Sequence, residues 1–145
     1  MLKPLEIVNK MIHNDAFSKW LGIEILEVKK GYCKLQMKIS KEMTNGFELA
    51  HGGICYSLAD SALAFASNSN GKKALSIETS ISHTKKVNIN DTLVAETHEI
   101  NLNNKTGIYS INILNQEQEK VAFFKGTVYI SVSYTHLTLP TNREV

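Results

Sequence analysis

From Ile54 to Ser67 the chain reads ICYSLADSALAFAS. Leu58, Ala62 and Ala66 recur at helical spacing, and Ala59, Leu63 and Phe65 fill the neighbouring positions, so this helix keeps almost no polar face. A helix that is apolar nearly all round has to be wrapped by other elements. The segments available for wrapping are strands. Ala74–Lys86 alternates through Leu75, Ile77, Thr79 and Ile81, and Thr92–Leu102, Gly107–Leu114 and Val121–Val132 follow. A strand of about 13 residues reaches ~43 Å, whereas a helix of about 17 residues reaches only ~26 Å. Long strands curling around one buried helix satisfy both lengths. The expected fold class is α+β, a long curled antiparallel sheet wrapped around one central helix.

The remaining segments agree with that arrangement. Leu5, Val8, Met11 and Ile12 behind Pro4 predict a short N-terminal helix. Ile23, Ile25 and Val28, then Tyr32, Lys34–Met37 and Ile39, predict two strands turned at Lys30-Gly31. Lys41–Leu49 is polar and holds the turn dipeptide Asn45-Gly46. The connections Asn88–Asp91, Asn103–Lys105 and Asn115–Lys120 are short enough to join antiparallel neighbours. The expected unit is a single domain over 1–132. Ser133–Val145 follows the last strand without a matching partner and contains Pro140; it is expected to be an exposed or artificially added extension, the alternative being a strand continuation ending at Leu139.

Composition narrows the function classes. The chain has 145 residues and a formal net charge of +2, with no basic stripe interleaved with aromatics, which argues against nucleic acid. No apolar run is long enough to span a bilayer, and the first residues alternate apolar with polar rather than forming a signal peptide, so the expected location is cytoplasmic. Cys33 and Cys55 form no metal-spaced pair and are expected to be reduced thiols. The five histidines are scattered, which predicts no metal site.

The chemistry concentrates at the central helix. Gly52 and Gly53 precede it, and a helix start without side chains offers bare N–H groups and the positive end of the dipole to a ligand. Such a terminus can act as an oxyanion hole. Equally, two glycines there can simply let the chain turn tightly against the sheet. Asp60 sits seven residues beyond Gly53 inside an apolar run, where an unpaired carboxylate is costly. It is either a structural acceptor or a general base or nucleophile facing a cleft. Seven residues of helix separate Gly53 from Asp60 by about 10 Å along the axis. One helix therefore struggles to supply both groups to one substrate. Two copies lying antiparallel across a twofold axis could, which predicts a homodimer with shared sites.

The segment NGFELAHGG…LAD resembles the hotdog-fold acyl-CoA thioesterases of the phenylacetic acid degradation (PaaI) type, with Asn45, His51 and Asp60 at the family's spacing. The resemblance continues through SNSNG and NKTGIYSINILNQ and covers roughly Phe17 to Ser131. It implies hydrolysis of an acyl-CoA, with an aromatic acyl group favoured, by a cytoplasmic enzyme that forms tetramers. Coenzyme A enters as part of the substrate and no separate cofactor is implied. Asp60 would activate water or attack the thioester carbon. The Gly53 N–H, with Gly52, would polarise the carbonyl. Asn45 would position the nucleophile or substrate, and His51 would orient the loop and reach the sulfur. Ser76 matches a hydroxyl that some relatives use to place water. For the coenzyme A phosphates the basic candidates are Lys72, Lys73, Lys85, Lys86 and Lys105; an Arg-Pro pair often stands where Lys85-Lys86 does, so the loop there departs from the pattern. Tyr56, Leu63 and Phe65 are candidates for the acyl pocket. The competing readings are a hydroxyacyl thioester dehydratase on the same fold, whose pattern the His51–Asp60 spacing does not match, and an acyl-CoA-binding module without turnover, for which Asp60 has no use. The chain also lacks the G-x-S-x-G turn of serine thioesterases. A thiolate leaving group, with a conjugate acid near pKa ~8.5, departs without a full Ser-His-Asp relay.

Overall fold

A computed structural model of the chain describes residues 2–134. Helix α1 (Pro4–His13) starts at a proline, whose missing N–H and fixed φ suit a first helical turn, and it buries Ile7 and Val8. A five-residue helix, α2 (Ala16–Trp20), follows at once. Asp15 caps it, accepting from the Ser18 N–H at 2.9 Å and from Ser18 Oγ at 2.7 Å. Strands β1 (Glu24–Lys29) and β2 (Tyr32–Lys38) come next, then a 3-10 turn at Lys41–Met43 and the central helix α3 (Gly52–Asn68). The chain continues through β3 (Lys72–His83), β4 (Thr92–Leu102), β5 (Thr106–Leu114) and β6 (Lys120–Tyr134). Ser133 and Tyr134 thus extend the last strand beyond its expected end at Val132. The rest of the expected tail lies outside the described residues.

Among the described residues the six strands form one antiparallel sheet in the order β1-β2-β4-β5-β6-β3. Helix α3 touches β2, β3, β4, β5 and β6. Strands lie ~4.8 Å apart and a helix is only about 10–12 Å across, so a flat sheet could not reach it with five strands. The sheet curls around it instead, and this is the hotdog fold. Leu58, Ala59, Ala62, Leu63, Phe65 and Ala66 of the helix are buried against Leu35, Met37, Leu93, Ala95, Ile111, Ile113 and Phe124 of the sheet. Each large side chain so covered contributes roughly 1.5–3 kcal/mol. Gly126 of β6 lets the helix come close: a Cβ there would stand 2.6 Å from Leu63 Cδ2.

One short connection does not join neighbours. Residues 84–91 carry the chain from β3, at the edge of the sheet, to β4 in its interior. The backbone N–H groups of Thr84 and Lys85 both donate to Val121 O, tying this connection to β6. Eight residues reach up to about 26 Å, more than the roughly 14 Å of three strand spacings. Ala50 N–H donates to Val87 O at 2.8 Å, and His51 N–H to Met43 O at 2.8 Å, so the crossing, the 3-10 turn and the start of α3 are bound together. This junction positions the candidate site.

Candidate active site

His51 is the N-cap of α3. Its backbone is extended (φ −60°, ψ 141°) and its Nδ1 accepts from the Gly53 N–H at 3.0 Å. Accepting at Nδ1 places the ring proton of neutral His51 on Nε2. The expectation that the Gly53 N–H faces a substrate oxygen therefore needs correcting, because that donor is already spent on the cap. The Gly52 N–H, one residue earlier, has no protein acceptor among the described residues. It is the open donor at this end of the helix.

Asn45 holds the preceding loop. Its Oδ1 accepts from the N–H groups of Phe47 at 2.8 Å and Leu49 at 3.2 Å, an arrangement of the Asx-turn kind. Its carboxamide oxygen is thus structural, while Nδ2 is left to donate. Asn45, His51 and Gly52 line one cleft of about 150 Å³ together with Cys55, His83, Lys85 and Lys86. Burial pushes the Cys55 thiol up to about 11, so it forms a neutral wall rather than a thiolate. Lys85 pairs with Glu119 at 3.2 Å; Lys86 has no ion-pair partner among the described residues. His83, the last residue of β3, was not anticipated from the sequence. No short-range motif could have found it, since it meets Gly52 only through the fold.

Asp60 stands elsewhere. It is half-buried in the middle of α3 and, among the described residues, no protein donor binds its carboxylate. Burial raises its pKa, and the charge of Asp15 raises it further. Asp15 reaches this region through Ser18, whose Oγ lies 2.7 Å from Ser61 Oγ, next to Asp60 in sequence. Asp60 lines a second cleft of about 140 Å³ with Ser76, Leu63, Ala64, Ser67, Ala74, Leu75 and Val128. Ser76 is thus brought to Asp60, and its hydroxyl has no partner among the described residues. Of the expected acyl-pocket residues, Leu63 lines this cleft. Phe65 is buried in the core. Tyr56 stacks edge-on against Phe124 and bonds Thr79 Oγ1 at 2.7 Å.

Because α3 runs unbroken from Gly52 to Asn68, Gly52 and Asp60 lie ~12 Å apart along one rigid axis. The open amide and the unpaired carboxylate therefore face two clefts of the same chain. The lysines divide as well. Lys85 bonds β6 at Val121 and Lys105 bonds it at Ile130. At ~3.3 Å per residue these points are roughly 30 Å apart, so Lys105 does not join Lys85 and Lys86 within one subunit. Among the described residues no helix is long and apolar enough to cross a membrane, and no group of three or more His, Cys, Asp or Glu could hold a metal ion.

The model of the thioesterase superfamily matches residues 47–122, half of the chain, including most of the residues that line the two clefts. A candidate esterase of Archaeoglobus fulgidus is 47% identical over 119 residues, covering 82% of this chain and 77% of that one. The acyl-coenzyme A thioesterase PaaI of Escherichia coli is 37% identical over 124 residues, covering 86% and 89%. The solved structure of the E. coli PaaI protein from the phenylacetic acid degradation operon superposes with a TM-score of 0.88, covering 90% of this chain and 95% of that one at 34% identity. The chain belongs to the thioesterase superfamily and is a hotdog-fold hydrolase of thioesters, similar to PaaI.

Proposed function

We propose that this protein hydrolyses acyl-CoA to the free acid and coenzyme A in sites completed by pairing two subunits across a twofold axis. The observation that carries the reading is the division just described, an open amide at the start of α3 and an unpaired carboxylate ~12 Å along it. Strand β3 supplies the means of pairing. It lies at the sheet edge and presents Leu75 and Ile77, 58% and 61% exposed, along an unpartnered ladder. Joining two β3 strands antiparallel makes an isologous contact and sets the two α3 helices antiparallel behind them. Each helix start then faces the middle of the other. The tetramer implied by the resemblance would be two such dimers.

In the paired site the thioester oxygen rests on the Gly52 N–H, where charge developing on it meets the positive end of the helix. Asp60 of the partner subunit takes a proton from a water held beside Ser76. The oxygen of that water bonds to the carbonyl carbon. The tetrahedral intermediate then collapses, the C–S bond breaks with its electron pair going to sulfur, and the thiolate is protonated by the carboxylic acid or by solvent. Burial makes Asp60 a stronger base than a solvated carboxylate, which suits that role. The apolar side chains beside it (Leu63, Leu75 and Val128) suit an uncharged acyl group, and the similarity to the PaaI protein of a phenylacetic acid degradation operon favours an aromatic one. Lys86 and Lys85, at the mouth of the His51 cleft, suit the coenzyme A phosphates. No further cofactor is required.

A thiol-release assay over aryl and fatty acyl-CoAs tests the reading. Asp60→Asn is expected to lower kcat by ~10²–10⁴ while the dimer persists in sedimentation. Parent-level turnover by that variant would remove Asp60 from the chemistry. Loss of water from a 3-hydroxyacyl-CoA without free thiol would instead show a dehydratase.

A further inference from the structure

We infer that His83 is a second hydrogen-bond donor to the thioester oxygen held by the Gly52 N–H; this rests on the thioesterase reading above. His83 ends β3, paired in backbone with Ala122 of β6, and its side chain projects at the junction where the 84–91 crossing meets α3. Neither ring nitrogen has a protein partner among the described residues, so Nε2 is free to carry the proton. The imidazole lies over Gly52: Nε2 is 3.6 Å and Cε1 3.9 Å from the point a Cβ on Gly52 would occupy. Standard backbone dimensions then put Nε2 within roughly 6 Å of the Gly52 nitrogen. A ligand oxygen about 3 Å from each fits between them. The space between them is open because residue 52 lacks a side chain, and it belongs to the cleft that Asn45, His51 and Lys86 share. An oxyanion held there meets two donors from separate elements, one from the helix backbone and one from the end of an edge strand.

A binding role at the coenzyme A phosphates would also use a histidine beside lysines, so the test must separate the two. Parent, His83→Leu and His83→Gln are compared on an acyl-CoA and on the same acyl group carried by N-acetylcysteamine, which has no phosphates. Thermal melts confirm that each variant is folded. The expected result for His83→Leu is a kcat reduced at least ~10-fold on both substrates, with KM within about twofold, because the lost bond belongs to the transition state. His83→Gln, whose amide N–H can reach the same point, is expected to recover part of that loss. An active parent with His83→Leu at the same kcat on both substrates overturns the inference and leaves the thioesterase reading intact. So does a loss seen as raised KM on the coenzyme A substrate alone. A parent that releases no thiol from any thioester overturns both.

Discussion

Gly52 sits at the first position of α3 without a left-handed φ, and a Cβ there would make only ordinary contact with His83. Neither the backbone nor the packing calls for glycine. Alanine would favour the helix by up to ~1 kcal/mol. What a methyl group would take away is the approach to the Gly52 N–H. Gly52→Ala is therefore expected to raise Tm slightly while lowering kcat/KM roughly 10–100-fold, a split read by calorimetry and thiol release on one preparation. Gly53 differs, since a Cβ there would stand 3.2 Å from His51 Nδ1 and press on the cap itself. Asp60 likewise costs the fold stability, and the proposed mechanism gives that cost a use. Its folded pKa is raised by burial and by Asp15, so the protonated form is favoured in the fold. That contribution is full below the unfolded pKa of ~3.9 and is lost as pH rises through the folded value. Asp60→Asn should accordingly melt above the parent at neutral pH, with the difference closing in acid. In the proposed mechanism the ionised base is required, so activity is expected to run the other way and fall as pH drops through the same pKa. Asp15→Asn keeps a capping oxygen for α2 but removes the charge, and is expected to move the acid limb of the kcat profile to lower pH. An unmoved limb would mean that Asp15 does not bear on Asp60.

At the scale of elements, α3 and the four long strands were legible because each carries a sustained period. Their observed ends lie within three residues of those expected. Helix α2 was not, because five residues show no period; it exists through the Asp15 cap and the Ser18–Ser61 contact, which joins positions far apart in sequence. The 84–91 connection misled for a related reason. Its length fits a hairpin, but eight residues also reach about 26 Å, enough to pass the two strands that lie between β3 and β4. Asn45, His51, Asp60 and Ser76 were candidates through the resemblance, and the fold sets the first two in one cleft and the last two in the other. That the Gly53 N–H serves the cap, and that His83 overlies Gly52, could not be named in advance, since both depend on where imidazole rings come to rest. Strand β3 carries its own prediction. A charge on the unpaired edge discourages edge-to-edge association. Ile77, outside both clefts, tests this cleanly. Ile77→Lys is expected to shift the protein to monomer in sedimentation and to lower activity by ~10-fold or more in step with dissociation. A fully active monomer would refute shared sites.

For the whole molecule, the proposed pairing means that neither subunit alone holds a complete site. Gly52→Pro removes the open N–H at a helical position that tolerates proline, behind a residue already extended at ψ 141°. Asp60→Asn removes the base. Each variant alone is expected to be nearly inactive. Equal amounts, unfolded and refolded together, should form half heterodimers, each with one intact site, and recover about a quarter of parental turnover per subunit. Heterodimers verified by mass and still inactive would mean that the sites are not shared between subunits.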